Sequence, residues 1–351
     1  MTPAGNPAGV SASAVAKPGA ASAAPRPGTA PAAASSGPAL PPSTPRQRRL
    51  AEAGVLAVMA FWAANFIVVK AANEQIPPVT FAFLRFGIAA LTLLIGLRWR
   101  EGSWAPPAPR RDALAIMALG GLGFGIYQIL WSIALQDIPA GDSALLIATT
   151  PVITALLAVV SGADVLTRTK LIGSLVSFAG VAVVISAGHG LSLGSALIAD
   201  VMTLISATCW SIYTAFGATV LRRHSPLRTT AWAMVGGSLV LLIPAIWQGV
   251  GVEFSAVQLD AWAGLAFSAF IPAGVANVVV FSAIKLLGPT RITAFQFLVP
   301  FMAVLMGAAF LSEPVRVDQL LGGAIIVLGV AIARTDRVTA FGGWLRDRVP
   351  G

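Results

Sequence analysis

The chain alternates long apolar runs with short polar breaks between residues 53 and 334. Runs of roughly 20 residues match a hydrocarbon layer about 30 Å thick, because an α-helix rises 1.5 Å per residue. We therefore expect ten transmembrane helices, called spans 1 to 10, at residues 53–72, 79–97, 113–134, 143–161, 170–187, 196–220, 229–248, 261–284, 290–311 and 317–334. Proline and glycine mark the breaks, as in Pro77-Pro78 and Gly288-Pro289. The pattern predicts an all-α polytopic membrane protein.

The composition agrees with this class of protein. Of the 351 residues, 56% are hydrophobic and 11% are charged, whereas soluble domains carry about 25% charged residues. Residues 1–50 are rich in Ala, Pro, Ser and Gly, so we expect a disordered N-terminal tail there, and a cytoplasmic tail at 335–351. Cys209 is the single cysteine, which leaves no partner for an internal disulfide.

The positive charges are distributed unevenly across the predicted membrane. With the N-terminus inside, every lysine and arginine except Lys70, Arg85 and Arg316 falls in a cytoplasmic segment. The opposite loops carry mainly acidic residues, such as Glu74 and Glu313. This asymmetry predicts that both termini lie in the cytoplasm. It also explains the net charge of +9 without nucleic acid as a partner.

The two halves of the chain resemble each other. An offset of 149 residues, for example, carries Pro151 to Pro300. We therefore expect two repeats, at residues 53–187 and 196–334. Because each repeat has five spans, the second must insert upside down relative to the first. Ten helices in two inverted five-helix repeats are typical of secondary transporters, with the substrate site near the membrane midplane between the repeats.

Several motifs resemble those of the drug/metabolite transporter superfamily, and of its EamA-type members in particular. They are the Trp62-x-x-Asn65-Phe66 stretch of span 1, the Pro-Pro and Phe-Ala-x-Leu-Arg-Phe sequences that open span 2, and the Ser312-Glu313-Pro314 turn before span 10. The resemblance covers residues 53–334. It implies ten helices around a central cavity, export of small metabolites or drugs across the inner membrane, and no nucleotide hydrolysis. In the first repeat, the position that matches Glu313 is Asp164.

Polar and aromatic side chains within the spans are candidate substrate contacts. Polar groups are costly in hydrocarbon, so we expect them to face a cavity or another helix. The candidates are Trp62, Asn65, Arg85, Tyr127, Gln128, Trp131, Trp210, Tyr213, Asn277 and Gln296. A cavity of this chemistry suits a polar molecule with an apolar part, such as an amino acid or an amphiphilic drug. The alternative is that these groups join helices to one another.

Two positive charges lie within or at the end of a predicted span. Arg85 lies seven residues after Pro78. It is expected to hold a substrate carboxylate or phosphate. Alternatively, it binds loop carbonyls or an acidic residue on the outer side, such as Glu74. Lys70, at the outer end of span 1, is expected to extend its amine to the lipid headgroups.

Glycines recur at a spacing of seven residues in two of the spans. They are Gly173 with Gly180 in span 5, and Gly322 with Gly329 in span 10. A glycine face allows close helix packing, and the interface of a homodimer is one place for it. The other expected partners are a small-molecule substrate and the lipid bilayer, and we expect no cofactor and no metal.

Alternating-access export by a secondary transporter is the function that the sequence favours, and two alternatives stay open. A lipid flippase or a helper subunit of a membrane complex would need a lateral opening or a partner chain. An intramembrane enzyme would need a nucleophile and a base within the bilayer. The Gly190-Leu191-Ser192-Leu193-Gly194 sequence matches a nucleophile motif, but it falls in a predicted loop, and neither histidine falls within a span.

Overall fold

The computed structural model describes residues 44–161, 166–189, 194–221, 223–276, 279–280, 283 and 295–346. Across these residues, the regular structure is helical and no strand occurs. The helices are α1 Pro45–Ala72, α2 Pro78–Glu101, α3 Arg110–Gly120, α4 Tyr127–Asp137, α5 Ala140–Ile147, α6 Thr150–Val160, α7 Arg168–His189, α8 Ser195–Leu221, α9 Pro226–Gly249, α10 Leu259–Phe270, α11 Leu298–Leu311 and α12 Val317–Arg346. Two π-helical segments, Gly121–Ile126 and Ile271–Val275, follow α3 and α10.

The ten predicted spans are confirmed. Within the described part of the chain, seven helical stretches of at least 18 residues are apolar enough to cross a membrane. Three shorter apolar helices, Leu259–Val275, Leu298–Leu311 and Val317–Ala333, occupy the positions of spans 8, 9 and 10. Span 3 consists of α3 and α4 joined by a π segment. Span 4 consists of α5 and α6, with a turn just before Pro151.

Helix α1 begins before its predicted span because the sequence provides a strong start signal. The hydroxyl of Thr44 accepts a hydrogen bond from the backbone N–H of Gln47, whose side chain accepts one from the backbone N–H of Thr44. This capping box, together with Pro45 at the first helical position, fixes the helix start. Residues 45–50, expected in the disordered tail, are therefore helical, and residues 1–43 lie outside the described part of the chain.

Helix α12 also exceeds its predicted span. It continues through Arg346, beyond residue 335 where a tail was expected to begin. No glycine or proline lies between Gly329 and Gly342, so the sequence has no helix breaker in that stretch.

Spans 5 and 10 pack along each other through the predicted glycine faces. A Cβ atom added at Gly173 would lie 2.5 Å from the carbonyl oxygen of Gly329, and one added at Gly180 would lie 2.7 Å from that of Gly322. Only glycine allows two backbones to approach this closely. These contacts join the two halves within one chain. The glycine faces are therefore occupied, and they are not available as the interface of a homodimer.

The two π segments occupy equivalent places in the two halves. Gly121–Ile126 lies in span 3 and Ile271–Val275 lies in span 8, and the offset of 149 residues carries Gly125 to Gly274. A π turn contains an additional residue, so it rotates the side chains after it relative to those before it, and such turns are frequent at functional sites. Both segments contribute side chains to the cavity between the halves.

The substitution Gly173→Ala is expected to destabilise the contact between spans 5 and 10. The new methyl group would overlap the backbone of α12, and such overpacking costs about 1–3 kcal/mol. Thermal unfolding of the purified variant in detergent measures the effect. Gly87→Ala in α2 is the matched control, because its new methyl group meets nothing within 4 Å and should be neutral or stabilising. Equal melting temperatures for the two variants would contradict this packing.

Candidate functional site

A cavity of about 290 Å³ lies between the two halves. Its described wall comes from spans 1 to 4 of the first half and spans 6 to 9 of the second. Spans 5 and 10, which pack on each other, contribute none of the described lining residues. The cavity is therefore shared by both repeats.

Eight of the ten predicted site residues line this cavity: Trp62, Asn65, Arg85, Tyr127, Gln128, Trp131, Trp210 and Gln296. Tyr213 is not among the lining residues, because its ring packs against Trp210, with ring centroids 5.3 Å apart. Asn277 lies outside the described residues. The fold thus brings eight candidates together, and their contact with a substrate stays a prediction.

The aromatic side chains form one continuous wall. The ring of Trp131 stacks on that of Tyr127 with centroids 6.2 Å apart and an interplanar angle of 5°. Phe66 meets Trp131 edge-on at 5.3 Å. On the other side, Trp210 lies 5.8 Å from Tyr127 and 5.5 Å from Phe124. These are favourable ring–ring geometries, and together they give the cavity rigid apolar surfaces.

The π segment in span 3 decides which side chains of that span face the cavity. A regular α-helix would place Gly120 and Gly123 on the same face as Trp131. In the structure, Gly120 abuts the backbone of α9 and Gly123 abuts a side chain of α8. The π turn separates them because it rotates α3 relative to α4. Phe124, within the π segment, lines the cavity instead.

Most buried polar groups of the wall have partners within the protein. The indole N–H of Trp62 donates to the carbonyl of Pro272 at 3.3 Å, and that of Trp131 donates to a serine hydroxyl of α5 at 3.0 Å. The carbonyl oxygen of the Asn65 side chain accepts a hydrogen bond from the hydroxyl of Ser268 at 2.5 Å. These bonds fix the orientation of the rings and of the amide.

Arg85 has two buried nitrogen atoms that lack such partners. Its side chain lines the cavity with 7% of the residue exposed, and Nε and Nη1 are buried without a hydrogen-bond partner. Neither of these atoms bonds Glu74 or a loop carbonyl, the alternative partners that the sequence suggested. Cζ lies 4.5 Å from the ring centroid of Phe86, a cation–π contact worth on the order of 0.5–2 kcal/mol. This contact compensates only part of the cost of a charge within hydrocarbon, so an external anion would be favoured.

Gln128, like Arg85, has a buried polar atom without a hydrogen-bond partner. The residue is 3% exposed, and its Oε1 is buried without a hydrogen-bond donor. No aspartate or glutamate is found among the described lining residues, so Arg85 gives the described wall a positive charge. The cavity thus offers a ligand unpaired donors and an unpaired acceptor.

The apolar members of the wall are not evident from the sequence pattern. They include Phe86, Phe124 and Met234, which in sequence resemble the lipid-facing residues around them. The internal repeat offers one signal that could find further lining residues. Pro151 and Pro300, which the offset of 149 residues relates, both line the cavity.

A cluster of charged side chains joins the halves at the end of α1. The Nζ atom of Lys70 donates to Oε1 of Glu313 at 2.7 Å and to the carbonyl of Ile138 at 2.7 Å. Both carboxylate oxygens of Glu313 lie 3.0 Å from the backbone N–H of Ala140, which opens α5. The prediction that Lys70 reaches the lipid headgroups is wrong, because this carboxylate at a helix N-terminus binds its amine.

Asp142 extends this cluster. It accepts hydrogen bonds from Nη2 of Arg316 at 3.0 Å and from Nε2 of Gln319 at 2.6 Å. We call Lys70, Asp142, Glu313, Arg316 and Gln319 the outer charge cluster. Because Lys70 and Asp142 belong to the first half and the other three to the second, the cluster ties the halves together at this face.

The opposite face carries its own ion pairs between the halves. Nε2 of His224 lies 2.9 Å from Oδ2 of Asp112, at the start of α3. Nη2 of Arg228 lies 2.9 Å from the carboxylate of Glu101, at the end of α2. We call these two pairs the inner charge pairs. The halves are thus joined on both sides of the cavity.

Both halves of the chain match one family model. Its description is the EamA-like transporter family, and it matches residues 49–186 and 197–335. A solved crystal structure superposes with a TM-score of 0.57 at 18% identity, covering 82% of this chain and 96% of that chain. That likeness shows a shared fold.

Several curated relatives are similar over most of the chain. The uncharacterized transporter YyaM of Bacillus subtilis is 27% identical over 281 residues, which are 80% of this chain and 92% of the relative. An uncharacterized transporter of Archaeoglobus fulgidus is 26% identical over 280 residues, or 78% and 95% of the two chains. The probable terminal-alkyne amino-acid exporter of Streptantibioticus cattleyicolor is 29% identical over 283 residues, or 78% and 92%.

Removing either partner of the Lys70–Glu313 pair is expected to destabilise the protein. Lys70→Met and Glu313→Gln each leave a largely buried charge without its oppositely charged partner, which costs on the order of 1–3 kcal/mol. The double variant should lose less than the sum, because the two side chains contact each other. Thermal unfolding in detergent, measured for the native chain, the two single variants and the double variant, gives the four free energies of this double-mutant cycle. Glu253→Gln, an exposed acid, is the control, and strictly additive losses would contradict direct coupling.

Proposed function

We propose that this chain, which belongs to the EamA-like transporter family, exports small amphiphilic carboxylates, amino acids foremost, across the inner membrane. The observation that carries the proposal is the guanidinium of Arg85, with Nε and Nη1 unpaired, in an aromatic cavity whose described lining is otherwise uncharged. The chain is a membrane transporter, and its relatives are named as transporters rather than enzymes.

The carboxylate is assigned to Arg85. A guanidinium presents parallel N–H groups that match two carboxylate oxygens, and it stays charged at any relevant pH. Binding an anion would replace the missing hydrogen bonds of Nε and Nη1 and neutralise a charge in the low-dielectric interior. The carboxylate of the transported molecule would thus supply the hydrogen-bond acceptors and the negative charge that the protein does not provide for Arg85.

The apolar part of the substrate is assigned to the aromatic wall. Trp131, Tyr127 and Trp210 offer ring surfaces, while the indole of Trp131 is held by its own hydrogen bond. A volume of about 290 Å³ suits a molecule of amino-acid size. The relative named as a probable amino-acid exporter supports this choice of substrate class.

Transport is assigned to alternating access between two inverted repeats, at residues 53–187 and 196–334, with both termini cytoplasmic. In the described conformation, the outer charge cluster and the inner charge pairs both join the halves. Opening toward the outside would separate the outer charge cluster while the inner charge pairs hold. Opening toward the cytoplasm would do the reverse.

Arg85→Met is expected to abolish transport without destabilising the protein. The variant keeps most of the side-chain volume and removes a buried charge that has no partner, so the melting temperature should stay equal or rise. Loss of a charge-assisted pair should weaken substrate binding by about 10- to 100-fold. Counterflow of labelled amino acids in proteoliposomes measures transport, and thermal unfolding measures stability.

Two further variants sharpen this test. Arg85→Lys keeps the charge without the paired geometry and should give intermediate transport. Arg100→Ala removes an exposed arginine from the last turn of the same helix and should transport normally. Unchanged counterflow in Arg85→Met would contradict the proposed function, and a large fall in its melting temperature would assign Arg85 a structural role instead.

A further inference from the structure

Two cavity side chains have fully buried polar atoms without hydrogen-bond partners, and these atoms differ in hydrogen-bonding character. Arg85 can only donate, and its Nε and Nη1 are buried without an acceptor. The Oε1 atom of Gln128 can only accept, and it is buried without a donor. All other buried side-chain polar atoms of the described lining residues have partners. A ligand that satisfies both residues must carry an anionic acceptor and a donor.

The positions of the two residues allow one small molecule to reach both. Arg85 lies in α2, which packs against α4, and Gln128 lies in the first turn of α4. Both line the same cavity of about 290 Å³. A ligand whose donor and carboxylate are on neighbouring carbon atoms is small enough to contact both residues within this cavity.

We propose that Gln128 determines specificity by accepting a hydrogen bond from an ammonium or hydroxyl group next to the substrate carboxylate. The inference rests on the proposed function, in which Arg85 holds that carboxylate. The site then takes α-amino acids and α-hydroxy acids and rejects plain carboxylates of the same shape. A plain carboxylate leaves Oε1 of Gln128 buried and unpaired, which weakens binding by about 10- to 100-fold.

The aromatic wall favours the ammonium over the hydroxyl. Tyr127 and Trp131 flank Gln128 on α4, and their rings stack on each other. A cation near such ring faces gains cation–π energy that a hydroxyl does not. An α-amino acid therefore satisfies all three features, which are the guanidinium, the amide oxygen and the rings.

The opposite arrangement would have Gln128 donate from Nε2 to the same carboxylate that Arg85 binds. The two arrangements respond differently to Gln128→Leu, which removes the amide and keeps the side-chain size. If Gln128 accepts from the ammonium, the variant loses affinity for amino acids alone. If it donates to the carboxylate, the variant loses affinity for amino acids and plain carboxylates equally.

The experiment measures equilibrium binding of matched ligand pairs to the purified full-length protein. The pairs are leucine with 4-methylpentanoate, and phenylalanine with 3-phenylpropanoate, which differ only in the ammonium group. In the native chain, the amino acid of a pair should bind about 10- to 100-fold more tightly. In Gln128→Leu, this ratio should fall toward one because only the amino acid weakens. Thermal unfolding shows whether Gln128→Leu is folded, and Gln128→Asn, which keeps an amide acceptor without adding a charge beside Arg85, should retain part of the preference.

The outcomes separate this inference from the function on which it rests. Equal affinities within the pairs in the native chain would overturn the inference and leave carboxylate export intact. An equal loss of both ligands in Gln128→Leu would overturn it as well. If neither member of either pair binds the native chain, the proposed function fails together with the inference.

Discussion

A charged side chain within the hydrocarbon layer needs a partner, and Arg85 has no hydrogen-bond partner among the residues that the structure describes. The surrounding polar groups differ from it, because Trp62, Trp131 and Asn65 are all hydrogen-bonded within the protein. A wall that satisfies its other buried polar groups and leaves a guanidinium and one amide oxygen unpaired is arranged for a ligand. In the proposed function the missing partner is the substrate, and its binding would offset the cost of the empty site.

The rest of the fold makes such a cavity possible. Spans 5 and 10 pack backbone to backbone through their glycines and hold the halves together at one side of the molecule. The π segments in spans 3 and 8 place Phe124 and Ala273 at the cavity, at positions that the offset of 149 residues relates. Charged groups at both faces complete the connection between the halves. The charged contacts between the halves thus lie on either side of the cavity.

The sequence is sufficient to predict the spans, because their length and apolarity follow directly from the thickness of the bilayer. It also identifies the cavity residues that are unusual in hydrocarbon, such as Arg85 and Gln128. It does not reveal Phe86 or Met234 as lining residues, since an apolar side chain suits both lipid and cavity. The π turn that separates Gly123 from Trp131, and the pairing of Lys70 with Glu313 across 243 residues, depend on tertiary contacts that no local pattern contains.

The central claim is that the substrate carboxylate binds Arg85, and the distance between the two tests it most directly. Solid-state NMR can measure it in proteoliposomes with a ¹³C-carboxyl-labelled amino acid that the protein transports and with ¹⁵N-labelled arginine side chains. The account predicts direct contact, with the carboxyl ¹³C within about 4 Å of a guanidinium ¹⁵N, and loss of the signal in Arg85→Lys. A bound amino acid whose carboxylate is near no arginine, or whose signal persists in Arg85→Lys, would contradict it.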